Sequence, residues 1–244
     1  MTVAGAGIGI LFGLFGVGGS SFATPVLGLL GVPGLIAVAA PLPATIPAAI
    51  AAAAAYVRRR ELDRQVAHWS IIGGVPATIV GALLSASVGG KALLIASGVV
   101  LAVVGVRILS PLTSEKRLAG RARRRAGVVI PAAAVIGFFT GLLANGGGFL
   151  LVPLFVLVLG LTMPESAGTS LVVIAALSIP TLITHWALGH IDWAVAAAFA
   201  AGAIPGAVIG SRLVTHLPAD RLRKGFGVLL IGFAVYFTIR QSLT

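Results

Sequence analysis

Gly13-Leu-Phe-Gly-Val-Gly-Gly-Ser-Ser-Phe-Ala-Thr-Pro25 lies inside a long apolar stretch. About 128 residues later, Gly141-Leu-Leu-Ala-Asn-Gly-Gly-Gly-Phe-Leu-Leu-Val-Pro153 lies inside another. Without a gap the two match at Gly13/Gly141, Leu14/Leu142, Gly18/Gly146, Gly19/Gly147 and Pro25/Pro153. A glycine run frees backbone N–H and C=O groups from the helix ladder, and hydrocarbon cannot satisfy them. Such a break persists at membrane depth only where it is buried in protein or lines a wet cavity. Paired interruptions in corresponding halves of an apolar chain point to a transporter's substrate site.

The rest of the chain makes a membrane setting the only consistent one. Of 244 residues, 58% are hydrophobic and 9% charged, against roughly 25% charged in a soluble domain; the mean hydropathy is +1.10. The net charge of +11 would suggest nucleic acid in a soluble protein. Here the Lys and Arg fall in short clusters between apolar segments, with no interleaved aromatics to stack bases, so no nucleic-acid partner is expected. Cysteine is absent, which excludes disulfides, thiolate metal sites and cysteine relays. No cofactor is implied. With no Lys or Arg before its first apolar run, the N-terminus does not read as a cleaved signal peptide.

Apolar stretches run over about 3–31, 36–57, 67–88, 91–110, 127–161, 166–188, 192–215 and 222–240. Six are near the ~20 residues that span a bilayer. The two carrying glycine breaks would be about 43 and 52 Å long as single helices, too long for one straight span. Each is expected to be a helical hairpin turning at its glycines, either re-entrant or as two short spans. At an offset of 129 the similarity continues through Leu42/Leu171, Asp63/Asp192, Pro76/Pro205, Gly81/Gly210 and Gly98/Gly227. The expected fold is therefore all-α and polytopic, with two repeats, each a glycine-broken hairpin plus three transmembrane helices. Residues 1–110 form the first repeat, 111–126 a basic linker, and 127–244 the second repeat.

Charge decides how the repeats are related. If each glycine segment crossed once, the repeats would be parallel, with twelve Lys/Arg on one side and five on the other. If each is a hairpin, the repeats are inverted, and fifteen of the seventeen Lys/Arg share one side, leaving only Lys91 and Arg240 opposite. The positive-inside rule favours inversion, with basic loops cytoplasmic and both termini outside. Trp69, Trp186 and Trp193 sit near segment ends, as interfacial aromatics do.

After each break a half-helix is expected to start inside the membrane, from Ser20/Ser21 and from Gly148/Phe149. Its first N–H groups lack intrahelical partners and carry the positive end of the helix dipole. Two such ends make an anion site without a formal charge, and glycine lets a ligand approach the backbone. The expected substrate-binding set is Gly18, Gly19, Ser20, Ser21, Asn145, Gly146, Gly147, Gly148, Thr169 and Ser170. Thr45 and Thr140 are further hydroxyl candidates, against the alternative that each bonds back to its own helix. Gly202/Gly206/Gly210 and Gly73/Ala77/Gly81 read as small-residue packing faces. All six carboxylates lie at segment ends or in loops, whereas a carboxylate proton or sodium relay needs one at depth. Glu165 reads as a first-turn helix residue. His185, the most embedded histidine, is the one proton-handling candidate. With no deep carboxylate to couple an ion, export down an inside-negative potential is favoured over uptake.

The motifs GLFGVGGSSFATP and GLLANGGGFLLVP resemble the paired glycine-rich signatures of the sulfite exporter TauE/SafE family. The resemblance covers the whole chain, including the basic mid-linker and Ala-Gly-Thr-Ser-Leu at 167–171. It implies transport of sulfite, sulfoacetate or related organosulfonates across the bacterial inner membrane, with Gly18, Gly19, Gly146, Gly147 and Gly148 lining the site. Two places depart from the pattern: Ser20 where a third glycine is common, and Ala-Pro-Leu-Pro at 40–43 instead of a Thr-Ser stretch. An anion channel, or a carrier of another small organic anion, uses the same features. An intramembrane serine–histidine enzyme built from Ser20, Ser21 and His185 is disfavoured, because the serines have no counterpart in the second motif. The chain is long enough to act alone or as a homodimer.

Overall fold

The computed structural model describes residues 1–32, 34–84, 126–143 and 148–242. The expected 91–110 segment, residues 111–125 of the linker, and Asn145, Gly146 and Gly147 lie outside them. The elements are α1 (Thr2–Phe15), α2 (Gly19–Leu29), α3 (Gly34–Ala39), α4 (Leu42–Arg58), α5 (Arg64–Leu84), α6 (Ala126–Leu143), α7 (Gly148–Pro153), α8 (Met163–Ala187), α9 (Trp193–Leu213) and α10 (Ala219–Ser242). Among the described residues there is no strand. Among the described residues, three helices are long and apolar enough to cross a membrane: Arg64–Leu84, Met163–Ala187 and Trp193–His216.

The first long glycine stretch is interrupted where its glycines fall. α1 ends at Phe15, and Gly16 adopts the left-handed conformation (φ 67°), its N–H closing on the Phe12 carbonyl at 2.8 Å; this is a glycine-terminated helix end. α2 restarts at Gly19. In the second half α6 is described to Leu143 and α7 from Gly148, and the glycines between them lie outside the described residues. α7 then loosens into a π turn, Leu154–Val158, directly after Pro153, which has no N–H to continue the α ladder.

The stretch expected as one helix over 36–57 is two. α3 and α4 are separated by a turn at Ala40–Pro41, whose counterparts in α8 are Thr169 and Ser170, where the helix continues unbroken. Pro41 lacks an amide donor and disfavours helical backbone at the residue before it, and Pro43 follows at the second position of α4. Elsewhere the 129-residue offset holds in the backbone. α5 and α9 span corresponding residues. Asp63 and Asp192 cap them alike, accepting from Gln65 and Val66 at 3.1 and 3.0 Å and from Ala194 and Val195 at 2.9 and 3.1 Å. The turns before them carry left-handed residues at matched positions, Arg60 (φ 60°) and Gly189 (φ 70°), as do Gly31 (φ 84°) and Gly160 (φ 68°).

The halves are interleaved. α1 packs along α9 in parallel: Gly5, Gly9 and Gly13 lie against the carbonyls of Phe199, Ala203 and Ala207, and Gly202, Gly206 and Gly210 against those of Thr2, Ala6 and Ile10. α6 packs along α5 in the same manner, Gly137 and Gly141 against Gly74 and Thr78, and Gly73 and Gly81 against Ile130 and Phe138. Glycine at every fourth residue removes the side chains from one helix face, so backbone meets backbone. In lipid this close approach matters more than hydrophobicity, because lipid tails are as apolar as the packed side chains. α8 passes through the centre with Leu171, Ile174 and Leu177 buried, while Val3, Leu83, Ile183 and Val228 point outward.

Candidate functional site

The first glycine break is a short climb between two levels of the bundle. At its lower level, Gly16 packs so closely on Ala167 of α8 that a Cβ there would overlap the Ala167 carbonyl. The Ser170 hydroxyl donates to the Gly16 carbonyl. Next to it, Thr169 Oγ1 accepts the Asp63 N–H at 3.0 Å. Both side chains are fully buried. The Tyr56 hydroxyl donates to the carbonyls of Gly13 and Leu14, at 2.8 and 3.0 Å, and so meets part of the demand at the open C-terminal end of α1.

At the upper level, the chain has turned back along α1, so that Gly19 faces the side chains of Phe12 and Ile8. Gly19, Phe12, Thr45, Ala48, Phe199 and Ala203 line a cavity of about 10 Å³. Ala203 is the midpoint of α9, so the first residue of α2 starts half-way along the bundle. Val17, Gly18 and Gly19 are buried. This volume is about that of one water.

The structure thus brings Thr169 and Ser170 to the glycine turn, but at the level of Gly16, with both hydroxyls committed to protein partners. Gly18 and Gly19 lie higher. Ser20 and Ser21 form the first turn of α2, and Gly148 opens α7. Thr45, which shares the Gly19 cavity, bonds back to the Pro41 carbonyl at 2.9 Å; Thr140 likewise bonds back to Ile136 at 2.8 Å. Glu165 completes a capping box with Thr162, the amide of Thr162 donating to its carboxylate at 2.9 Å, which leaves it a helix-start residue. The sequence reading missed Tyr56. Its signal was available, because Tyr56 stands one offset of 129 from His185 in an otherwise alanine-rich helix. His185 is buried, with Nδ1 3.2 Å from that of His190 and Nε2 without a hydrogen-bond partner. Among the described residues, no group of three or more His, Asp or Glu side chains is placed to hold a metal ion.

An apolar helical bundle with membrane-length helices, outward-facing aliphatic side chains and a glycine-broken first hairpin is a multi-pass membrane protein. More narrowly, the chain belongs to the sulfite exporter TauE/SafE family, whose family description matches residues 1–237. Curated relatives include a probable membrane transporter protein of Xylella fastidiosa strain 9a5c, 29% identical over 264 residues, covering 99% of this chain and 95% of the relative. The probable membrane transporter protein YjnA of Bacillus subtilis strain 168 is 27% identical over 225 residues, covering 87% and 89%. No solved structure matches the chain at a significant level.

Proposed function

We propose that the protein is a secondary transporter, not an enzyme, that exports small sulfur-containing anions such as sulfite, sulfoacetate or related organosulfonates across the bacterial inner membrane. The observation that carries this reading is the position of Gly19: α2 begins there, buried and half-way along α9. The first N–H groups of a helix lack intrahelical partners and form its dipole-positive end, and an anion is a natural partner for them. Gly18, Ser20 and Ser21 complete this half of the site. The other half is Asn145, Gly146, Gly147 and Gly148, with Thr169 and Ser170 holding the glycine turn in place. The family membership and the relatives' names as probable membrane transporters support transport. The sulfur-anion substrate follows the family description.

Two inverted repeats moving against each other give the access change. Parallel packing of α1 on α9 and of α6 on α5, with Gly168 of α8 beside Tyr56 of α4, supports opposite directions for the matched helices. The cavity at Gly19 is too small for a sulfonate, so binding requires α2 and α4 to part. Basic loops face the cytoplasm and both termini the outside, in keeping with the charge distribution. The inside-negative potential then drives anion exit by about 2.3 kcal/mol per charge per 100 mV.

Flux in proteoliposomes tests the reading, with labelled sulfite and sulfoacetate under an imposed potential. Gly19→Ala is the discriminating variant: its Cβ would meet Phe12 and Ile8 at ordinary contact distances of 3.8 and 3.9 Å, so the fold tolerates it, while the methyl covers the amides. Saturable flux in wild type, reduced about tenfold or more in a normally folded Gly19→Ala, is the expected result. Unchanged flux in the variant removes the site from Gly19. Flux that does not saturate assigns the same site to a channel, and flux of carboxylates alone moves the substrate to another class of organic anion.

A further inference from the structure

A second polar feature lies away from the glycine break, where α4 and α9 end side by side. A pocket of about 410 Å³ opens there, lined by Ala51, Ala55, Arg58, Arg59, Arg212 and His216 among others. Its walls differ in kind. One part of the lining is alanine from α4, Ala51, Ala54 and Ala55, and neighbouring residues of the two helices, Ile50, Val57, Ile209 and Leu213, are all exposed, as side chains facing lipid tails are. The mouth is basic. Arg58 and Arg212 are exposed, and their guanidinium groups make no hydrogen bond or ion pair among the described residues.

Arg59 is held in place from three directions. Nε donates to Glu61 at 2.8 Å, Nη1 to the Ser211 carbonyl at 3.3 Å, and the guanidinium lies 4.8 Å from the centre of the Tyr56 ring. Its Nη2 is buried with no protein partner. An oriented guanidinium with a spare donor, flanked by two free ones, matches a phosphate diester.

The fold alone does not demand this charge. One offset of 129 away, the counterparts of Arg58, Arg59 and Arg212 are Ala187, Leu188 and Leu83, so the matching ends of α8 and α5 are apolar. The helix-end geometry is repeated and the basic pocket is not.

We propose that this pocket is a binding site for an anionic phospholipid, with its phosphate on Arg58, Arg59 and Arg212 and an acyl chain along the alanine face between Ile50 and Ile209. Basic pockets between membrane helices bind such headgroups, each Lys or Arg contributing favourably near the surface. A free oxyanion shares the headgroup chemistry but would gain nothing from the apolar wall continuous with the lipid-facing surface, which is why the lipid is the better fit.

The test is the thermal stability of delipidated protein in neutral detergent, titrated with phosphatidylglycerol, phosphatidylcholine or inorganic phosphate. Phosphatidylglycerol should raise the melting temperature at concentrations about tenfold or more below the other two. Arg58→Gln with Arg212→Gln should abolish that preference, whereas Arg221→Gln with Lys224→Gln, which removes equal charge elsewhere, should keep it. Ala55→Phe, which fills the pocket and leaves every charge, should also abolish it. A preference surviving in the Arg58/Arg212 pair, or lost equally in the control pair, overturns the proposal, as general surface charge would then explain it. Inorganic phosphate acting as well as the lipid overturns it in favour of a free-oxyanion site.

Discussion

The Tyr56 hydroxyl lies 2.8 Å from the carbonyl oxygen of Gly13, and this one bond links α4 to the place where α1 stops. Together with the Leu14 carbonyl at 3.0 Å, it meets part of the demand created by ending a helix inside protein, where water is not at hand. Tyr56 is fully buried, so removing its hydroxyl leaves buried acceptors unpaired. Tyr56→Phe should therefore cost about 1–3 kcal/mol, seen as a lower melting temperature in detergent. A variant as stable as wild type would mean that the helix end is satisfied in some other way.

The α1–α9 contact predicts a sharp contrast between neighbouring glycines. A Cβ on Gly9 would overlap the backbone carbonyl of Ala203, which no rotamer change can relieve, whereas one on Gly7 meets nothing within 4 Å. Gly9→Ala should force the helices apart and lose most folded protein in a detergent-solubilised size-exclusion profile. Gly7→Ala should be neutral or slightly stabilising, because alanine is favoured over glycine within a helix by about 1 kcal/mol. Equal behaviour of the two variants would contradict the interleaved packing.

How much of this was legible in the sequence depends on whether a feature is local. The first glycine break, the helix restart near Ser20, the Asp63/Asp192 correspondence and the small-residue faces of α5 and α9 are all local patterns, and the structure has each of them; the second break lies outside the described residues. The split of α3 from α4 was also local, written in Pro41 and Pro43, but the even hydrophobicity of 36–57 masked it. Partner choice was not legible. Nothing in the spacing of Gly5, Gly9 and Gly13 says that their partner is α9 of the other half. For the same reason the destinations of Thr169 and Ser170 could not be read. Their residue types allow a cavity-lining role, but the position of Asp63 and Gly16 beside them decides what the hydroxyls touch.

Arg60 provides a test of the repeat at backbone level. Its φ of 60° places a side chain in the left-handed region, where the equivalent residue of the second half is Gly189 at 70°. A non-glycine residue there costs about 1–2 kcal/mol. Arg60→Gly should relieve part of that strain and raise the melting temperature by a few degrees, provided that the charge of Arg60 contributes little to folding. Arg60→Ala separates the two effects, because it removes the charge and keeps the strain; it should give no gain.

The absence of native cysteine allows the proposed inversion to be examined with single introduced thiols. Arg58 and Ala187 are related by the offset of 129 and stand at the exposed C-terminal ends of α4 and α8. In parallel repeats these ends share a side of the membrane; in inverted repeats they lie on opposite sides. Arg58→Cys should react with a membrane-impermeant maleimide only after the cytoplasmic face is opened, and Ala187→Cys should react in intact cells whose outer face is accessible. The basic cluster around Arg58, against the uncharged Trp-Ala-Leu-Gly at 186–189, sets the direction of that difference. Labelling of both from one side would mean that the matched helices run the same way, and alternating access by two inverted halves would have to be abandoned.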